Sequence, residues 1–145
     1  MIRIVAVGRL KDGRVAEMVD EYALRCRSLG GVVEVVEVRD SDPDREADAM
    51  LRRLGSAAGQ ELVVALDERG EAVTSRELAA ILGQHGAVAF LIGGPDGLGA
   101  AARDRANRTL RLSRLTLPHE LARLVLTEQV YRGLSILRGR PYHRD

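Results

Sequence analysis

The residues best suited to chemistry lie in the last third of the chain. Leu91-Ile-Gly-Gly-Pro-Asp-Gly-Leu98 is a glycine loop that follows an apolar run. Glycines let a backbone approach a ligand closely and adopt turn dihedrals that side chains resist. Pro95 fixes part of the turn. Ligands commonly bind at the carboxyl ends of parallel strands. On these residues alone, a ligand loop and a plain strand-to-helix turn are equally supported. A second loop, Leu112-Ser-Arg-Leu-Thr-Leu117, offers apolar side chains to enclose a flat ring and backbone groups to read its polar edges. His119 and the tail Pro141-Tyr-His-Arg-Asp145 add groups that can move a proton, stack or bind an anion.

Several chemistries lack their signatures. The chain has no GxxxxGK[ST] loop, and Gly8-Arg9-Leu10 stands where GxGxxG would follow a first strand. A nucleoside triphosphatase and a Rossmann dinucleotide site are both disfavoured. Three histidines and one cysteine are scattered, so no metal centre is expected. Asp67, Glu68 and Asp96 read more simply as loop or cap residues than as pocket acids. Cys26 is the sole cysteine, which excludes an internal disulfide and suits the cytoplasm. It reads as a buried structural thiol. One Phe, no Trp and three Tyr leave little for an extended base-stacking surface.

Charge is unevenly spread. Residues 1–100 carry 12 basic and 17 acidic side chains, whereas residues 101–145 carry 10 basic and 4 acidic. The C-terminal third is therefore the part that suits a polyanion.

These groups need a scaffold, and the 145 residues suffice for one domain with a real core. The apolar pattern predicts strands over 2–7, 32–38, 62–66, 88–92 and 108–111. It predicts helices over 12–28, 43–57, 75–84, 99–106 and 119–137. Glu34 and Glu37 interrupt the second strand and suggest an edge position. Asp42 or Ser41 is placed to cap the second helix, with Pro43 at its first position. Thr74 and Glu77 have capping-box spacing. Strands alternating with helices predict a three-layer α/β fold with a mainly parallel sheet. The final helix has a broad apolar surface, enough for its own sheet and for a partner subunit. No run is long enough to span a membrane, and residues 2–7, interrupted by Arg3 and followed by no signal-cleavage pattern, read as a first strand and not a targeting segment.

Five segments in order carry a resemblance: Leu62-Val-Val-Ala-Leu-Asp-Glu-Arg-Gly70, Leu91–Leu98, Leu115-Thr-Leu-Pro-His119, Glu128-Gln-Val-Tyr-Arg132 and Pro141-Tyr-His-Arg144. Together they resemble the bacterial large-subunit ribosomal RNA pseudouridine N3-methyltransferases of the SPOUT superfamily, over almost the whole chain. The resemblance implies a trefoil-knotted α/β domain over 1–145, a homodimer, and S-adenosyl-L-methionine as cofactor. It implies a substrate pseudouridine in ribosomal RNA, methylated on the assembled ribosome without a required metal. It places Leu66, Gly93, Leu112, Ser113, Arg114, Leu115, Thr116 and Leu117 at the cofactor. It places Tyr142, His143 and Arg144 at the reactive end, with His143 the first candidate for proton handling and His119 its competitor.

One segment departs from the family pattern. Arg39-Asp-Ser-Asp-Pro-Asp-Arg45 is rich in aspartate where a basic loop is expected. RNA affinity is therefore assigned to Arg114, Arg138, Arg140 and Arg144, with Arg9 and Lys11 as additions. Two alternatives stay open: a non-catalytic RNA-binding or ribosome-assembly factor, and a related methyltransferase acting on another RNA.

Overall fold

Short β-branched runs separated by capped helices produce an alternating chain, and the computed structural model describes it for residues 1–54 and 60–145. The elements run β1 (Ile2–Val7), α1 (Gly13–Ser28), β2 (Val33–Val38), α2 (Pro43–Arg53), β3 (Glu61–Ala72), α3 (Ser75–Gln84), β4 (Ala87–Ile92), α4 (Ala100–Arg105), β5 (Arg108–Arg111) and α5 (His119–Leu137). The strands form one sheet in the order β2-β1-β4-β3-β5. All four pairings are parallel. β2 lies at an edge, where its two glutamates can reach water.

Helices cover both faces. On one side, Cys26 of α1, Leu78, Ile81 and Leu82 of α3, and Leu126, Val130 and Leu134 of α5 pack against Ile4, Val64 and Phe90. On the other, Ala47 and Met50 of α2 and Ala102 of α4 pack against Val5, Val63 and Leu91. The two cores explain why the central strands are apolar at successive positions. Burial pushes the Cys26 thiol up to about 11, which leaves it protonated and inert near neutral pH. No helix among the described residues is long and apolar enough to cross a membrane.

Local signals set the helix starts. Asp12 and Asp42 accept from the backbone N–H of Arg14 and Arg45, and Pro43 opens α2. Thr74 Oγ1 accepts from the Glu77 N–H at 3.1 Å, and Glu77 accepts from the Thr74 N–H at 2.6 Å. This closes the capping box. α2 ends at Arg53 because Leu54 turns extended. The rest of the helix expected to 57 falls outside the described residues.

β3 is longer than the expected 62–66. Leu110 of β5 pairs first with Leu66 and then, across a register shift, with Glu71. The segment between them is charged and reads as a loop, but tertiary pairing draws its end back into the ladder. A Cβ on Gly70 would stand 2.5 Å from the Leu110 carbonyl carbon, so the chains approach backbone to backbone.

α5 packs against both α1 and α3. Gly133 makes this possible, since a Cβ there would stand 2.9 Å from a Leu82 methyl. One turn into α5, Arg123 is only 2% exposed. It donates to Glu37 Oε2 at 2.7 Å and to the Gly8 carbonyl at 2.8 Å. Glu120, a turn earlier, accepts from the Lys11 N–H at 2.9 Å. The helix is thus fastened to the carboxyl ends of β1 and β2. Arg123→Ala should cost about 3 kcal/mol by removing charged hydrogen bonds and a packed stem. Urea unfolding followed by circular dichroism would measure it, and a loss under about 1 kcal/mol would contradict the fastening role.

Candidate active site

β4, β3 and β5 are neighbours in the sheet, so the loops at their carboxyl ends converge. They enclose a cleft of about 630 Å³, a size suited to a cofactor-sized ligand. Leu66, Asp67, Glu68 and Arg69 come from the bulged part of β3. Gly93, Gly94, Pro95 and Gly97 come from the glycine loop. Arg111, Leu112, Ser113, Leu115, Thr116 and Leu117 form the third wall, and His119 and Ala122 close it from α5.

The glycine loop is a tight turn. The Gly97 N–H donates to the Gly94 carbonyl at 3.0 Å, and Gly97 has φ +80°. A Cβ on Gly93 would come within 2.6 Å of the Gly97 carbonyl carbon. Glycine is needed there because the turn folds back on itself. Beneath the loop lies Glu46 of α2, 4% exposed. Its carboxylate accepts from the Ser41 N–H at 3.0 Å, and a Cβ on Gly94 would lie 3.6 Å from it. Burial raises the Glu46 pKa, Ser41 opposes the rise, and Asp40 adds to it. From sequence, Glu46 was indistinguishable from an ordinary first-turn acid.

In the other loop, Ser113 Oγ accepts from the Leu115 N–H at 2.9 Å. This local turn leaves Leu115 77% exposed on the cleft lip.

Of the residues expected at the cofactor, Leu66, Gly93, Leu112, Ser113, Leu115, Thr116 and Leu117 line the cleft. Arg114 is exposed and is not among the lining residues. Asp67, Glu68 and His119 line it too, whereas the exposed Asp96 does not. Sequence reasoning missed Arg111. The available signal was the strand period, which sets Arg111 opposite in direction to the buried Leu110.

The tail is held together elsewhere. Gly139, with φ +66°, turns the chain after α5. The Tyr142 hydroxyl donates to Glu128 Oε1 at 2.8 Å, and its ring meets Tyr131 edge-on at 4.7 Å. Arg132 donates to the same carboxylate oxygen at 2.7 Å. Burial, then Tyr22 and Glu128 beside it, raise the Tyr142 pKa, so the phenol stays neutral. His143 Nδ1 lies 3.1 Å from Arg132 Nη1, and Nε2 lies 2.9 Å from Asp145 Oδ1. Arginine only donates, so Nδ1 is the acceptor and Nε2 carries the proton. Arg76 of α3 clasps Asp145 through two nitrogens, the shorter contact being 2.6 Å. Arg144 is exposed. Tyr142, His143 and Arg144 are not among the residues lining the cleft of their own chain.

Among the described residues, no three His, Cys, Asp or Glu side chains gather as they would around a metal ion.

Two outcomes follow from this geometry. Gly93→Ala should push the turn apart and speed exchange of the Gly97 amide by about fivefold or more, the worth of one hydrogen bond. Amides of β4 should be unchanged in the same hydrogen-exchange experiment; an unaltered Gly97 amide would show the loop has room to spare. The second concerns pH. Arg76, then His143, hold Asp145 at about 2, below the ordinary 3.8. A depressed carboxylate stabilises above its ordinary value and loses its effect as pH falls through the depressed one. The contribution of Asp145 to tail docking, read as the difference between wild type and Arg76→Ala in the NMR signals of Tyr142, should persist down to about pH 4 and vanish towards pH 2. Identical profiles for the two proteins would be inconsistent with this clasp.

Comparison with known proteins places the architecture. A family model described as a predicted SPOUT methyltransferase matches residues 1–143. The chain is 48% identical over 157 residues to the ribosomal RNA large subunit methyltransferase H of Anaeromyxobacter sp. (strain Fw109-5), covering 99% of both chains. It is 45% identical over 144 residues to the protein of that name from Prochlorococcus marinus (strain MIT 9303), covering 98% of this chain and 91% of the other. Among solved structures it resembles a probable methylase family protein from Haemophilus influenzae Rd KW20, with TM-score 0.60 and 14% identity over 99% of this chain and 70% of that one. It also resembles the SpoU methyltransferase AviRb from Streptomyces viridochromogenes, solved with AdoMet, at TM-score 0.53 and 17% identity over 94% of this chain and 60% of that one. The structural likenesses speak for the fold, and the sequence matches for the kinship. The chain belongs to the SPOUT methyltransferases, and within them to the ribosomal RNA large subunit methyltransferase H family.

Proposed function

We propose that this protein transfers a methyl group from S-adenosyl-L-methionine to N3 of a pseudouridine in large-subunit ribosomal RNA. It acts on the assembled ribosome, in the cytoplasm, as a homodimer of single domains spanning 1–145, and without a required metal. The observation that carries the reading is the cleft itself. Two loops, 93–98 and 112–117, meet at the carboxyl edge of a parallel sheet in a chain of this family. A trefoil knot belongs to the same reading. Its support is the membership of the chain in the SPOUT methyltransferases.

The cleft suits the cofactor. Leu112, Leu115 and Leu117 offer an apolar wall for an adenine ring. Asp67 and Glu68 suit cationic portions, and the glycine loop permits backbone approach. S-adenosyl-L-methionine supplies an activated methyl group on a sulfonium. The protein then has to bind, orient and exclude water, and such positioning can provide much of the rate.

The tail of one subunit is proposed to complete the cleft of the other. In its own chain it rests on α5, beside a surface that includes exposed Leu121 and half-buried Val125. In that position the lone pair of His143 faces Arg132. His143 can accept the N3 proton only after that contact is exchanged for the substrate. Tyr142 is suited to stacking on the base and Arg144 to holding an anionic edge or phosphate. Arg114, Arg138, Arg140 and Arg144, together with Arg9 and Lys11, are all exposed and available to RNA phosphates.

The test offers labelled methyl donor to ribosomes, free large subunits, free ribosomal RNA and tRNA, and then locates the modified atom. Label at pseudouridine N3, strongest on ribosomes, is expected. Removing residues 142–145 should abolish transfer and leave cofactor affinity intact. His143→Ala should slow single-turnover chemistry by about 10²-fold or more if the ring takes the proton. Unchanged chemistry would reject that role. Ribosome association without transfer would identify a binding factor, and label confined to tRNA would move the enzyme to another substrate.

A further inference from the structure

We propose that Arg111 is the oxyanion receptor of the cleft, and that it takes the carboxylate of the methionine portion of the cofactor. The inference rests on the cofactor reading above and assigns one end of that ligand to one side chain.

Arg111 ends β5 and lines the cleft. Its side chain is half-buried, and its Nε is shielded from water with no hydrogen-bond partner. Neighbouring arginines are answered within the protein. Arg108, three residues earlier on the same strand, donates to Glu71 at 2.9 Å. Arg69, on the same cleft wall as Leu66, pairs with Asp67 at 3.6 Å. Among the described residues, none meets the Arg111 side chain with a hydrogen bond or an ion pair. A shielded N–H donor left unpaired is costly, and native proteins seldom keep one without a ligand or water to meet it.

The chemistry of the missing partner follows from the donor. A guanidinium presents parallel N–H groups that match the two oxygens of a planar carboxylate. Two sources of oxyanion are relevant, the small ligand and the RNA backbone. Arg111 lines the cleft and keeps its Nε shielded from water, whereas Arg114, Arg138, Arg140 and Arg144 are exposed and do not line it. A phosphate on a bulky RNA is better met by those exposed arginines. A small carboxylate within the cleft is better met by Arg111. The lining also holds both signs, Glu68 to suit the cationic groups of the ligand and Arg111 its anionic one.

The full-length protein is titrated calorimetrically with S-adenosyl-L-methionine and with its decarboxylated form. The wild type should prefer the carboxylated ligand by about tenfold or more, the worth of a charge-assisted hydrogen bond. Arg111→Met should weaken binding of that ligand alone and so erase the preference. Arg111→Lys, which keeps the charge without the fork, should shrink it. Circular dichroism reports whether each variant folds; if Arg111→Met does not, the lysine variant decides. A preference retained in a folded variant overturns the proposal, as does a wild type with no preference. Unaltered cofactor affinity with a raised KM for ribosomes assigns Arg111 to RNA phosphate and overturns it too. Failure of the wild type to bind either ligand would instead defeat the cofactor reading on which it rests.

Discussion

A guanidinium with almost no exposed surface joins α5 to the ends of two strands. Arg123 reaches the carbonyls of Val7 and Gly8 and the carboxylate of Glu37, while Glu120 holds the loop before α1. Strand ends in a parallel sheet leave carbonyls without ladder partners, and a buried cation with several donors is an efficient way to meet them. The consequence extends along the whole helix. The first turn of α5 closes the cleft through His119 and Ala122. Its middle fills the core through Leu126 and Val130. Its later turns supply Glu128 and Arg132, on which the tail is built. One fastening therefore sets the position of cleft and tail together.

The cleft depends on close backbone approach. A side chain would strike main-chain atoms at both Gly93, against the far side of its own loop, and Gly70, against β5. Backbone cannot move aside as a flexible side chain can, so the constraint on both positions is steric. Glu46 completes the floor of the glycine loop, and its buried carboxylate is bound to the turn before α2. The acidic segment that departs from the family's basic loop thus has a local task. Asp42 caps α2, Ser41 satisfies Glu46, and Asp40 lies beside it. The helix cap gives Asp42 a task in folding.

The tail is a chain of polar contacts from Arg76 through Asp145, His143 and Arg132 to Glu128, with ion pairs at both ends. Its outer pair is exposed, and exposed ion pairs contribute little stability on their own. Its effect is to select a geometry. Arg132 and Asp145 together define the imidazole tautomer of His143, and Tyr131 orients Tyr142 edge-on. A tail held by modest interactions in a defined shape is compatible with exchange of those contacts for a substrate.

Much of the fold was legible in the chain because its signals are local. The period of apolar residues marks strands and helices, and Asp42–Pro43 and Thr74–Glu77 mark helix starts. The glutamates of β2 announce an edge, and the glycine loop and the 112–117 loop announce cleft walls. What was not legible depends on long-range contacts. The extension of β3 to Ala72 exists only because β5 pairs with it. Arg123, Glu46 and Arg111 look like any other charged residues in sequence; only their burial and their partners, or the lack of them, separate them. The sequence by itself determined the elements, the kinship and the loops that form the cleft, since spacing and turn chemistry act over a few residues. Tertiary structure decided which charges are buried, which are answered and which face the cleft, because desolvation and pairing depend on neighbours distant in the chain.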